Sequence, residues 1–177
     1  YKDLVGMKMR VGGGVANDVG TALGVAGVNM PAPAVYEAIS SGVTDGVFFP
    51  METMYAFKIA ELAKHTYSNP QGMYTTAFGL IMNSDSYDGL SAAHKACVDK
   101  LTGVEMSRRV GTYWDEADAL GLEKFKEAGG KLTVASAADQ AYFADKTAGI
   151  EAKVVAAASE RGVDGAAALA FFRSQLK

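Results

Sequence analysis

Cysteine is nearly absent: Cys97 stands alone, so no internal disulfide can form and the cysteines say nothing of redox compartment. Histidine is scarce too. His65 and His94 give little basis for a metal centre or a histidine-based catalytic group, and no metal and no cofactor are expected. No apolar run is long enough to span a bilayer. There is no excess of basic charge; a net charge of −3 gives no reason to expect a nucleic acid or an anionic membrane as partner. A Gly-x-Ser-x-Gly elbow, a phosphate-binding P-loop and a Cys-x-x-Cys pair are all missing. The first residue is Tyr1 rather than methionine, so a processed product or a piece of a longer chain is expected.

What remains is ordinary for a globular chain with a real core: 177 residues, 49% hydrophobic and 21% charged. The stretch Gly6-Met7-Lys8-Met9-Arg10-Val11-Gly12-Gly13-Gly14 reads as a short strand that ends in an arginine and breaks into glycines. An arginine at a strand mouth presents a planar fork that fits both oxygens of a carboxylate. A surface salt bridge is the competing reading. Gly12-x-Gly14 opening a helix has the look of a dinucleotide loop. However, Asn17 stands where the third glycine belongs, and Glu37 falls in another helical segment. A helix N-terminus facing an anion explains the glycines more simply.

The first third alternates. Helical spacing over 14–24 is followed by a strand over 25–30, a helix over 33–39 with proline in its first turn, a strand over 43–49 and a helix over 51–64. That order predicts an α/β fold with a mainly parallel sheet flanked by helices. Ligands of such sheets sit outside the carboxyl ends of the strands, where Arg10 and Phe49 fall. Residues 65–72 read as a polar connection with an Asn69-Pro70 turn, and Met73 to Asn83 as the longest strand. Ser84 to Leu90 reads as a turn or short helix.

Ser91 then caps a long helical region to Ala128. Ala93, Cys97, Leu101, Val104, Val110, Trp114, Ala117, Leu120 and Phe125 form its apolar stripe, and Gly103, Gly111 and Gly121 are places for a kink. Cys97 on that stripe reads as core, while Arg108 and Arg109 read as solvated. A strand at 131–134 and alanine-rich helices broken at 162–165 complete the chain. Three segments result: 1–83 with the cleft residues, 84–128 as the long connecting helix region, and 129–177 as the C-terminal strand and helices.

Several stretches together resemble the periplasmic solute-binding proteins of TRAP transporters, which import organic acids. These are Asp3-Leu4-Val5-Gly6-Met7-Lys8-Met9-Arg10-Val11, Met30-Pro31 with Val35-Tyr36-Glu37-Ala38, Gly42-Val43-Thr44-Asp45-Gly46 with Pro50, Tyr74-Thr75-Thr76 leading into Leu80-Ile81-Met82-Asn83, and the long helix with Trp114. The resemblance implies two α/β lobes joined by hinge strands and a long helix, closing on a small-molecule carboxylate. It implies a periplasmic location, with a signal peptide and most of the first lobe ahead of Tyr1, and membrane permease subunits as partners. A homodimer or unrecorded lobe residues would cover apolar surface left by the missing lobe.

The family's carboxylate-binding arginine matches Arg10. An asparagine that touches substrate in some members is replaced here by Phe49, preceded by Phe48, which hints at an aromatic or apolar wall. A polar contact matches Thr75, and Tyr74 beside it adds a further aromatic ring. The expected substrate-binding residues are therefore Arg10, Phe49, Thr75, Phe48 and Tyr74, with no catalytic residues. Two alternatives stay open. One is an enzyme acting on a carboxylate with Asp45 or Glu52 as general base. The other is an interaction module whose aromatics bind a protein.

Overall fold

The computed structural model describes residues 1–175. These divide into two units, one comprising 1–48, 65–74 and 132–175, the other 49–64 and 75–131.

The first unit is organised by strand β1 (Lys8–Val11), whose Met9, Arg10 and Val11 are all buried. A strand buried on both faces belongs in the middle of a sheet. Strands β2 (Ala26–Asn29) and β3 (Gly46–Val47) flank it in parallel, giving the order β2-β1-β3, with Arg10 opposite Val28 and Val47. Parallel neighbours need helical crossovers. Helix α1 (Gly14–Ala22) supplies the first, and a 3-10 turn (Ala32–Ala34) leading into α2 (Val35–Ser40) supplies the second. Gly20 lets α1 settle on the sheet, since a Cβ there would lie 2.8 Å from Val25 Cγ2. Met9, Val11, Val19, Leu23, Val25 and Phe48 form the core with Tyr1.

Strand β4 (His65–Ser68) pairs with β5 (Lys131–Val134). Lys131 N donates to Lys64 O and Ala135 N to Ser68 O, both at 2.8 Å, so the two strands run the same way. Helix α8 (Ala137–Glu160) starts at a capping box between Ser136 and Asp139 and lays Tyr142, Phe143 and Ile150 against the core. Helix α9 (Gly165–Gln175) folds back on it through a Glu151–Arg173 ion pair.

In the second unit, the helix predicted over 51–64 is two short ones, α3 (Thr53–Ala56) and α4 (Ile59–Leu62). Lys58 between them has φ 56°, a left-handed backbone that no helix continues through. Helices α5 (Ser84–Asp88), α6 (Ala92–Leu101) and α7 (Val104–Glu127) follow. The predicted long helix is thus broken at Gly103, where φ is 68°. Met54, Ile59, Ala60 and Phe125 are the buried apolar groups of this unit. Asp118 of α7 accepts a 2.7 Å bond from the Glu52 amide, tying the start of α3 to α7.

Four further expectations are corrected. Residues 73–83 form no strand: extended backbone needs a neighbour to take its hydrogen bonds, and none of the described residues pairs with it. The third strand is only two residues long, because Asp45 spends its side chain accepting from Lys8 N at 2.8 Å. Residues 65–68, read as connection, are β4. Cys97 is exposed rather than core, because α6 buries no residue at all.

Two glycines of α7 make a paired test. A Cβ at Gly121 would overlap the Met51 carbonyl oxygen and lie 2.9 Å from Glu52 Cα, backbone atoms that cannot swing aside. A Cβ at Gly111 meets nothing within 4 Å. Gly121→Ala should lower unfolding free energy by roughly 1–3 kcal/mol. Gly111→Ala should raise it by about 0.4–1 kcal/mol. Urea denaturation of both variants decides; equal effects would mean that α7 does not take up α3 at Gly121.

Candidate functional site

The carboxyl ends of β2, β1 and β3 meet around one cation. Arg10 is only 6% exposed. Its Nε and Nη2 both donate to the Met30 carbonyl, at 3.0 and 2.9 Å. That carbonyl is held still because Pro31, at φ −59° and ψ 148°, turns the chain immediately after it. Gly12 lies against the guanidinium: a Cβ there would sit 3.7 Å from Nη2 and 3.8 Å from Nη1. Gly13, at φ 80°, packs close to the Asn29 amide at the end of β2 and opens α1. The arginine is therefore fixed along one edge by backbone and approached by a residue with no side chain.

Burial pushes the Arg10 guanidinium below its ordinary pKa, and the neighbouring Tyr74 opposes that shift. Burial likewise pushes the Tyr74 phenol up, with Arg10 pulling it back. The two side chains thus share one environment. Tyr74 OH donates to the Phe48 carbonyl at 3.1 Å, and Phe48 N donates to Arg10 O at 2.9 Å, closing a short circuit of backbone and side chain around β3. An anion brought here would offset the desolvation that burial imposes on the cation.

Of the five residues expected from the sequence, the first unit gathers Arg10, Phe48 and Tyr74. The Phe48 ring is a core side chain, 5% exposed, and its contribution at the strand ends is its carbonyl. Phe49 and Thr75 belong to the second unit, where the Phe49 ring stacks on Phe57 with centroids 5.7 Å apart and Thr75 is exposed. Sequence reasoning missed Met30 as part of the site, whereas the glycines after Arg10 were read as its open loop and Gly12 is the one that lies against the guanidinium. Met30-Pro31 is a visible signal, but the group that matters is a main-chain carbonyl, which residue types do not advertise. No cluster of three or more potential metal-binding side chains occurs among the described residues, and no helix there is long and apolar enough to cross a membrane.

Residues 1–157 match the family of bacterial extracellular solute-binding proteins, family 7. The chain belongs to this family. It is 31% identical over 127 residues to the C4-dicarboxylate-binding periplasmic protein of Rhodobacter capsulatus, an overlap of 71% of this chain and 35% of that protein. A TRAP periplasmic solute-binding protein from Bordetella bronchiseptica, solved with (R)- and (S)-mandelate, superposes with a TM-score of 0.92 at 36% identity, covering 98% of this chain and 55% of that one. A marine metagenome TRAP solute-binding protein specific for aromatic acid ligands, solved with 3-hydroxybenzoate, gives 0.85 at 37% identity, covering 93% and 52%. The chain therefore spans about half the length of these structures and about a third of the curated relative.

Family 7 proteins are solute-binding components, not enzymes, which removes the reading of Asp45 or Glu52 as a general base. Asp45 is used structurally, capping the start of β1. Of the two helix arginines, Arg108 pairs on the surface with Glu105 at 3.1 Å.

Tyr74→Phe isolates the polar part of the circuit. Without the hydroxyl, the Phe48 carbonyl loses a bond beside a buried strand end, and stability should fall by about 1 kcal/mol. Urea denaturation checks it; an unchanged midpoint would mean that the Tyr74–Phe48 bond contributes nothing.

Proposed function

We propose that this chain supplies the carboxylate-anchoring part of a TRAP-type solute-binding protein, and that Arg10 is the anchor. The observation that carries this is the buried guanidinium at the carboxyl end of the central strand, gripped by Met30 O and lying against Gly12. Such an arrangement holds an arginine rigid before ligand arrives, so little ordering entropy is lost on binding. A carboxylate then meets a planar, pre-oriented donor set, and two parallel charge-assisted bonds fix its orientation.

The ligand class we favour is an aromatic carboxylic acid. Phe49 stands where an asparagine would offer polar recognition, and its ring is braced against Phe57. Relatives solved with mandelate and with 3-hydroxybenzoate support the same choice. Thr75 is retained as a candidate polar contact. The complete protein would carry a signal peptide and first lobe ahead of Tyr1, act in the periplasm and hand its ligand to a membrane permease. Release there favours a moderate affinity with reversible closure rather than a permanent grip.

Calorimetry on the full-length protein tests this directly. Mandelate and 3-hydroxybenzoate should bind, and a C4-dicarboxylate should bind less tightly. Arg10→Ala should cost about 2–5 kcal/mol of binding free energy, because a buried carboxylate loses its charged partner. Arg10→Lys should recover only part of that, since a lysine cannot present two parallel donors. Undiminished affinity in Arg10→Ala would remove the anchor, and a preference for the dicarboxylate would remove the aromatic assignment.

A further inference from the structure

Two phenylalanine rings of the second unit are fixed against each other by the backbone that joins them. Phe49 and Phe57 stack with centroids 5.7 Å apart and planes 25° from parallel, and both are half-buried. A chain of bonds locks the segment between them. Pro50 follows Phe49 and confines it to extended backbone. The Pro50 carbonyl accepts from Thr53 Oγ1 at 2.7 Å and from Thr53 N at 3.3 Å. The Thr53 carbonyl accepts in turn from Phe57 N at 3.1 Å. Thr53 is only 2% exposed, so little water competes for these bonds.

Immediately after Phe57 the chain is strained. Among the described residues, Lys58 is the only one other than glycine with a positive φ, at φ 56° and ψ 23°. Left-handed backbone crowds the Cβ of a lysine, which has no short polar side chain to offset the cost. Strained residues persist where their surroundings over-determine them, and they gather at functional sites. The consequence here is geometric. The turn ends α3 at Phe57 and starts α4 at Ile59. Across it the two apolar side chains part: Ile59 is fully buried in the unit's core, while Phe57 stays against Phe49.

We propose that Phe57 is a positioning residue for ligand selectivity. Set by the left-handed turn at Lys58, it holds the Phe49 ring in one orientation, so that a flat aromatic body is favoured over a saturated ring of the same size. The proposal rests on the reading that Phe49 forms an aromatic wall against the ligand. A lone phenylalanine beside a turn samples several rotamers, and a ring averaged over them offers apolar area without direction. A ring stacked on a fixed partner keeps its negative face and positive edge in place. A ligand ring can then meet Phe49 in the offset or edge-on geometry that aromatic pairs favour, and Phe49 loses little further freedom on binding. A cyclohexyl group has no such quadrupole and gains only from burial.

Calorimetry on the full-length protein tests this with two acids, mandelate and its cyclohexyl counterpart hexahydromandelate. They share the carboxylate, the hydroxyl and nearly the same hydrocarbon bulk. The parent should bind mandelate more tightly. Phe57→Leu should shrink that preference by roughly two- to tenfold, the worth of one aromatic pair. Phe57→Tyr should restore it, and Phe57→Met, also without a ring, serves where Phe57→Leu does not fold. Lys58→Gly should keep the preference, because glycine takes left-handed backbone freely, and Lys58→Val should lower it. A merely structural role for Phe57 would weaken both acids equally and leave the preference unchanged; that result overturns the inference. An unchanged preference in Lys58→Val overturns the part given to the turn. Phe49→Leu separates the two readings. A preference lost in Phe49→Leu but kept in Phe57→Leu leaves the wall standing and removes only the positioning role. A preference kept in Phe49→Leu removes the wall and the positioning role with it.

Discussion

A guanidinium buried at the mouth of a parallel sheet must be held by something that cannot move, and the organisation of the first unit follows from that need. Arg10 gives up most of its water. The Met30 carbonyl replaces part of it with two bonds along one edge of the fork. For that carbonyl to be in place, β2 must run parallel to β1 and stop one residue before it, with Pro31 ending the strand. On the other side β3 must bring the Phe48 amide to Arg10 O, and the Tyr74 hydroxyl closes on the next carbonyl. The flanking helices are consequences: parallel strands cannot be joined without them, and their apolar faces make the core.

Much of this was legible in the residues. The alternation of strand and helix signals along 1–50 gives the sheet, because each element is short, apolar and punctuated by Gly or Pro at its end. Arg10 stood out because an arginine at the mouth of a short strand, beside an open glycine loop, is placed to grip a carboxylate. What escaped had physical causes. Lys58 takes a left-handed backbone with no residue-level signal, and so splits a helix that periodicity alone would continue. β4 is built from His65-Thr66-Tyr67-Ser68, whose polar atoms disguise a paired strand. Met30 acts through its main chain, and main-chain chemistry is the same for every residue.

A carboxylate anchor of this design separates affinity from specificity. In the proposed role, the fork and its backbone brace would meet the charged end shared by every organic acid, so discrimination would come from what surrounds the rest of the ligand. On the proposed assignment, a phenylalanine at position 49 in place of an amide side chain would change the recognition it offers from hydrogen-bonding to dispersive and quadrupolar. An aromatic acid loses little by leaving water for such a wall. A short dicarboxylate would have to strip a second charge, which an aromatic wall does not repay. On the proposed assignment, position 49 rather than position 10 is where relatives with different ligands would differ.

The sequence pattern and the burial pattern disagree most in α6 and α7, and the disagreement is itself physical information. An apolar stripe at helical spacing costs solubility unless it is covered. Here it is written over Cys97, Leu101, Val104 and Val110, and the described residues leave these positions exposed. Phe125 and Gly121, towards the C-terminal end of α7, are buried, so the stripe of that helix is in phase with the side that packs. The Glu52 carboxylate oxygen Oε2, buried and without a hydrogen-bond partner among the described residues, is a separate cost of a polar kind. Hydrophobic exposure and an unsatisfied carboxylate are different penalties, and the second unit carries both.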